Sequence, residues 1–165
     1  MQNMGFRTYS NGGQTHKMGA VNLGKAAKVS ARNCSFLADY DIDLMATPAG
    51  SSTFGLIACA GNDWAPNVIE ECYAGGFEYG FAFGEHTTVD AIYSIGNYYG
   101  VAFFSGQYAI KGKILTQACV SQLFFQGVST LLGVPSVANR TNIDIFLEAE
   151  QVGTALWWAP TTFYT

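Results

Sequence analysis

The sequence predicts a single α+β domain in which an antiparallel β-sheet is packed by two helices, at about residues 65–74 and 113–132. Three observations predict it. Bulky and small residues alternate with period two over 77–83 and again over 93–103. A one-sided apolar pattern with helix-start and helix-stop residues lies between Asn62 and Gly76. Polar positions recur at helical spacing inside a chargeless run from 114 to 139. At 165 residues the chain has the size of one domain with its own core.

Residues 1–24 are polar and glycine-rich without a sustained period, and read as an N-terminal arm that is ordered by docking. The single domain then runs from 25 to 165. Val29, Ala31 and Asn33, then Tyr40, Ile42 and Leu44, alternate as strands do. "TPAGSS" is a turn cluster, and "TFGLIACAG" is a short apolar strand. Asn62 and Asp63 can cap a helix, and Pro66 suits its first turn. Val68, Ile69, Cys72 and Tyr73 would share one face, and Gly75-Gly76 would end it.

Two strands follow, joined through "GEH". Phe77, Tyr79, Phe81 and Phe83 form a heavy face opposite Glu78, Gly80, Ala82 and Gly84. Tyr93, Ile95, Asn97, Tyr99, Val101 and Phe103 do the same opposite Ser94, Gly96, Tyr98, Gly100 and Ala102. The heavy face reads as core. Glycine in a strand marks close approach of another backbone, so the light face is expected to receive a second layer. The second helix would carry Gln117, Ser121, Gln126 and Ser129 on its polar side, and the tail alternates through "TNIDIFLEAE". No repeat of 20 to 50 residues stands out, which argues against a solenoid.

Charged residues make up 12% of the chain, where a soluble domain has about 25%. Nineteen glycines and 24 aromatics take their place. A surface this poor in charge fits a protein covered by copies of itself or placed outside the cytosol. Net charge is −4 with eight Lys and Arg, so no basic stripe exists for nucleic acid. The chargeless run is interrupted by Gln117, Gln122, Gln126, Gly133 and Pro135, which excludes an integral membrane span through it. No apolar leader is visible near Met1, so the sequence reads as cytosolic or as an exported form whose leader is removed.

Chemistry is sparse. Cys34, Cys59, Cys72 and Cys119 contain no C-x-x-C and are either small buried hydrophobes or the members of two disulfides. Glu85, His86 and Asp90 could make a small acid–base or metal cluster, and Asp39, Asp41 and Asp43, alternating on one strand face, could bind Ca²⁺ only if a loop closed over them. No nucleophile motif or phosphate loop is present, and nothing in the sequence requires a cofactor.

Between Phe54 and Gly106, "FGLIACAGND", "APNVIEECYAGG", "TTVDAIYSIGNYYG" and "VAFFSG" resemble the TRL-like family of small bacterial lipoproteins. The resemblance implies a strand–helix–hairpin unit from a bacterial envelope or exported setting, with no catalytic residues to carry over. Its lipobox cysteine has no counterpart near Met1. The leading expectation is a non-enzymatic structural subunit that self-assembles into an oligomer or filament, extracellular or on the bacterial cell envelope. Its assembly residues would be Gly80, Ala82, Gly84, Gly96, Gly100, Ala102, Trp157, Trp158, Phe163 and Tyr164. The alternatives are a monomeric envelope-associated TRL-like binding protein and a small enzyme or metal site at Glu85, His86 and Asp90.

Overall fold

Between Asn67 and Phe83 the side chains that enter the main core are Ile69, Cys72, Ala74, Phe77, Phe81 and Phe83. A strand sends every second side chain inward, yet Ile69 to Cys72 and Ala74 to Phe77 are steps of three. Each of these steps contains a residue in the left-handed region, Glu71 at φ 51° and Gly76 at φ 84°. Such a residue bends the chain and resets its alternation, so the next inward position comes one residue late. The same device recurs at Asn33, Ala91, Gly96 and Ala118, with φ of 48°, 49°, 59° and 51°.

The computed structural model describes residues 1–9, 19–24, 26, 28–39, 53–58, 67–84, 86–104, 108–126, 142–150 and 154–158. Its regular elements are strands: β1 (Gly5–Tyr9), β2 (Gly19–Leu23), β3 (Ser30–Arg32), β4 (Ser35–Asp39), β5 (Phe54–Ala58), β6 (Asn67–Glu70) and β7 (Tyr73–Gly75). They continue with β8 (Tyr79–Phe83), β9 (Thr87–Ile95), β10 (Tyr99–Phe104), β11 (Tyr108–Gln117), β12 (Ser121–Gln126), β13 (Asn142–Glu150) and β14 (Thr154–Trp158). One sheet has the order β1-β4-β7-β9-β11-β13, with β3 and β6 joining it alongside β9. The other has the order β14-β12-β10-β8-β5-β2. Among the described residues every strand pairing is parallel.

Because the chain visits the first sheet, then the second, and returns one strand further on, it winds as a β-solenoid, with six coils among the described residues. This corrects the predicted α+β class, its antiparallel sheet and both helices. Residues 65–74 were expected to be helical because Val68, Ile69, Cys72 and Tyr73 fall at i, i+1, i+4 and i+5. Two short strands on either side of the Glu71 corner produce the same spacing, with Ile69 and Cys72 buried and Val68 and Tyr73 half-buried. The segment 113–132 holds the second half of β11, a corner at 118–120, and β12; residues 127–132 lie outside the described part. Gln117 and Ser121 are four apart because a corner separates them, not a helical turn. The expected hairpin over 77–103 is two successive coils: β8 pairs with β10, and β9 with β7 and β11.

The solenoid also corrects the absence of a repeat. Tyr73, Gly76, Tyr79, Gly80, Ala82 and Phe83 recur 20 positions later as Tyr93, Gly96, Tyr99, Gly100, Ala102 and Phe103, and Tyr73 pairs with Tyr93 in the ladder. Elsewhere the stacked positions are further apart, as in Ser35 with Tyr73 and Gln117 with Glu150. Residues between strands stretch the period and hide it.

Two clusters hold the coils together. The main core fills the solenoid and includes Phe36, Leu56, Ile69, Phe81, Phe83, Ile92, Phe103 and Ile114, each fully buried. A large apolar side chain buried this way contributes about 1.5–3 kcal/mol. A second cluster on the second sheet gathers Ile57, Ala82, Ala102 and Phe124 with Tyr79 and Tyr99. Tyr99 stacks on Phe124 with centroids 4.0 Å apart.

Candidate assembly interface

The stack is built so that each coil covers the last. Asn97, fully buried, replaces the phenylalanine found one coil earlier at Phe77 and closes a polar corner. Its Oδ1 accepts from Phe77 N–H at 2.7 Å, and its Nδ2 donates to Ala74 O at 3.0 Å and Ser94 Oγ at 2.8 Å. Ser94 Oγ in turn donates to Gly100 O at 2.8 Å. The corners themselves are laddered: Tyr98 N–H reaches Phe77 O at 2.9 Å, and Val120 N–H reaches Asn97 O at 3.2 Å.

This packing fixes the glycines that the sequence placed on a light face. A Cβ on Gly80 would lie 2.5 Å from Asn97 Nδ2 and 2.7 Å from Gly100 O. One on Gly100 would lie 2.7 Å from Gln122 O. Gly80, Ala82, Gly84, Gly96, Gly100 and Ala102 are all buried, and the backbone brought against Gly80 and Gly100 belongs to the chain's own next coil. Trp157 and Trp158 end the edge strand β14, whereas Phe163 and Tyr164 lie outside the described residues.

The ends differ from this interior. Among the described strands β1 and β2 have one partner each, β4 and β5, and so do β13 and β14, which pair with β11 and β12. Among the described residues, both sheets therefore present a row of N–H and C=O groups without a strand partner at both ends of the stack. At the N-terminal end residues 1–4 already sit on the second coil. Arg32 N–H donates to Met1 O, Asn3 N–H to Arg32 O and Ser35 N–H to Met4 O, all at 2.9–3.0 Å. Met1, Phe6, Ala20, Val21 and Leu23 continue the main core there but are only partly buried, as is Leu147 at the far end. Phe6 lies flat on Phe36, with centroids 5.4 Å apart and planes at 6°. Met4 and Phe146 are the exposed large hydrophobics among the described residues, at 49% and 63%, and they sit on opposite end coils. Sequence reasoning missed both, together with Arg7 and Glu148, which are exposed on β1 and β13. Their signal is positional and emerges only once the coil order is known.

The remaining candidates do not converge on chemistry. Cys34, Cys72 and Cys119 are free, buried thiols, and Cys59 lies outside the described residues. Burial pushes the Cys72 thiol up to about 11. His86 is half-buried at a left-handed corner, φ 51°, and its carbonyl accepts from Asn67 N–H at 2.8 Å. Asp90 is exposed on β9, and Glu85 lies outside the described residues. No group of three or more His, Cys, Asp or Glu among the described residues is placed to hold a metal. Glu78 is the one buried carboxyl described, 3% exposed. Burial first, then the charge of Glu78, raises the pKa of Tyr79.

Among the described residues no helix is long and apolar enough to cross a membrane. No family model, no curated protein and no solved structure matches the chain.

Proposed function

We propose that this chain is a non-enzymatic structural subunit that self-assembles into a filament on or outside the cell. One observation carries the reading. The solenoid's two parallel sheets end at both ends in strands with a single partner among the described residues, and apolar core positions stay part-exposed there. Repeat folds of this kind need polar terminal caps to stay solitary, and open sheet edges recruit further strands through main-chain hydrogen bonds. The low charge of the chain removes the repulsion that would keep copies apart.

Electron microscopy and sedimentation of the purified chain over a concentration series test this reading. Unbranched particles whose length grows with concentration are expected. A species that remains monomeric at high concentration would sink the proposal.

A further inference from the structure

We infer that copies join head to tail in one register, the first coil of one seated on the last coil of another, with Arg7 set against the acidic strand β13. This inference rests on the self-assembly proposed above. The register rows supply the argument. Arg7 pairs with Leu37, Leu37 with Gly75, Gly75 with Ile95, Ile95 with Gln117, and Gln117 with Glu150. A neighbouring row runs from Gly5 through Ser35, Tyr73, Tyr93 and Leu115 to Glu148. A copy added in continuation therefore places its Gly5 beside Glu148 and its Arg7 beside Glu150.

Charge favours this joint. Strand β1 carries Arg7 and no acidic residue, whereas β13 carries Asp144, Glu148 and Glu150 and no basic one. Apolar surface favours it too. Met4 occupies the row that ends at Leu147, so the joint covers the exposed Met4 and the half-covered Leu147 together. In the second sheet Gly19 and Val21 continue the rows that end at Thr154 and Leu156. Within each sheet all strands are parallel, so the two joined surfaces are different patches of the chain. Such a contact is heterologous and, where its rotation does not close a ring, propagates as an open filament. Six coils at about 4.8 Å each give an axial repeat of roughly 29 Å per copy.

The test uses the full chain. Arg7→Glu is expected to raise the critical concentration for assembly about tenfold or more, because it sets like charges against one another. The pair Glu148→Lys with Glu150→Lys should do the same. All three changes in one chain should return assembly to within about threefold of the original, since the complementarity is reversed but kept. Circular dichroism checks that each variant retains its strands. A second measurement does not depend on charge: Gly5→Cys with Glu148→Cys should give a ladder of disulfide-linked multimers on oxidation, because neighbouring strands approach within disulfide reach. Gly5→Cys with Asp144→Cys should not. If the original chain assembles while the charge variants and the paired cysteines change nothing, or the axial repeat departs from roughly 29 Å, this register is wrong and self-assembly stands. If the original chain stays monomeric, both fail.

Discussion

The coils at the middle of the stack and those at its ends share one register but are held by different means. In the middle, residues 67–83 and 87–103 stack 20 positions apart, and their corners interlock by main-chain hydrogen bonds. At the N-terminal end the same positions are occupied, yet Phe6, Val21 and Leu23 are only partly buried against the core. The contrast between Asn97 and Asn3 shows the difference in one residue type. Asn97 is fully buried and bonds three groups of neighbouring segments, whereas Asn3 accepts one exposed bond from Asn33 Nδ2 at 2.9 Å. In a solenoid, burial of a coil is a property of its two neighbours, and among the described residues an end coil has only one.

The largest effect that would break this comparison is at the glycines. Gly80→Val puts a branched side chain where the Asn97 amide and the Gly100 carbonyl already stand, and backbone cannot move aside as a side-chain tip can. The variant is expected to lose its cooperative unfolding transition. Gly5→Ala in the end coil meets only Ser35 Oγ at 3.2 Å and should change stability by less than about 0.5 kcal/mol. Urea unfolding of the two variants checks the contrast; equal losses would mean that the ends are packed as the middle is.

Next in size is Asn97→Ala. It strips the partner from Phe77 N–H and from Ala74 O inside the stack, and each buried unsatisfied group costs about 1–3 kcal/mol. A loss of about 3 kcal/mol is expected, against less than about 1 kcal/mol for Asn3→Ala, whose bond is exposed. Comparable losses for the two would overturn the assignment of Asn97 as the interior corner.

Alkaline pH gives a smaller effect, also confined to the interior. The Cys72 thiol rises from 9.0 to about 11 through burial, and burial raises Tyr73, Tyr79, Tyr99 and Cys119 in the same direction. A folded state that holds its proton more tightly than the unfolded chain is fully favoured below pH 9. It loses that advantage as the pH climbs toward 11. The urea midpoint should therefore fall between pH 9 and 11, by on the order of 1 kcal/mol from Cys72, and Cys72→Ala should flatten the slope. A midpoint that does not move would show that the thiol is in contact with water.

Much of the strand content was legible and the way it is arranged was not. A short apolar run located β5, and period-two alternation located β8, the start of β13 and the heavy face of Phe81 and Phe83, because a strand sends alternate side chains to opposite faces whatever sheet it joins. Alternation says nothing of whether the neighbouring strand runs parallel, so the hairpin was an expectation from chain proximity alone. The helix at 65–74 arose because a left-handed corner turns steps of two into steps of three, which a helical face also shows. The repeat was present in the letters of 73–83 and 93–103, but its period holds over two coils and is stretched by the segments on either side. For the interface, Trp157 and Trp158 drew attention as late aromatics and do lie on an edge strand. Arg7 and Glu148 are ordinary exposed charges until the register shows that their strands are the first and last of one sheet.

The corners offer the finest version of the same comparison. Ala91 and Ala118 take φ of 49° and 51°, a region that costs a residue with a Cβ about 1–2 kcal/mol and glycine nothing comparable. Gly96 already holds the place of Ala118 one coil earlier, at φ 59°, whereas Ala91 stands in the row of Glu71 and Asn33. Ala91→Gly and Ala118→Gly should each stabilise the fold, by about 0.5–1 kcal/mol once the extra freedom that glycine gives the unfolded chain is subtracted. Asn33 shares the conformation, but asparagine tolerates it, and its amide ties the second coil to Asn3 in the first. Asn33→Gly should therefore stabilise less than either alanine change, or cost a few tenths of a kcal/mol. Thermal melts of the three variants rank them. An Asn33→Gly gain equal to that of Ala91→Gly would mean that the bond to Asn3 contributes nothing, and that the first coil is held by its ladder alone.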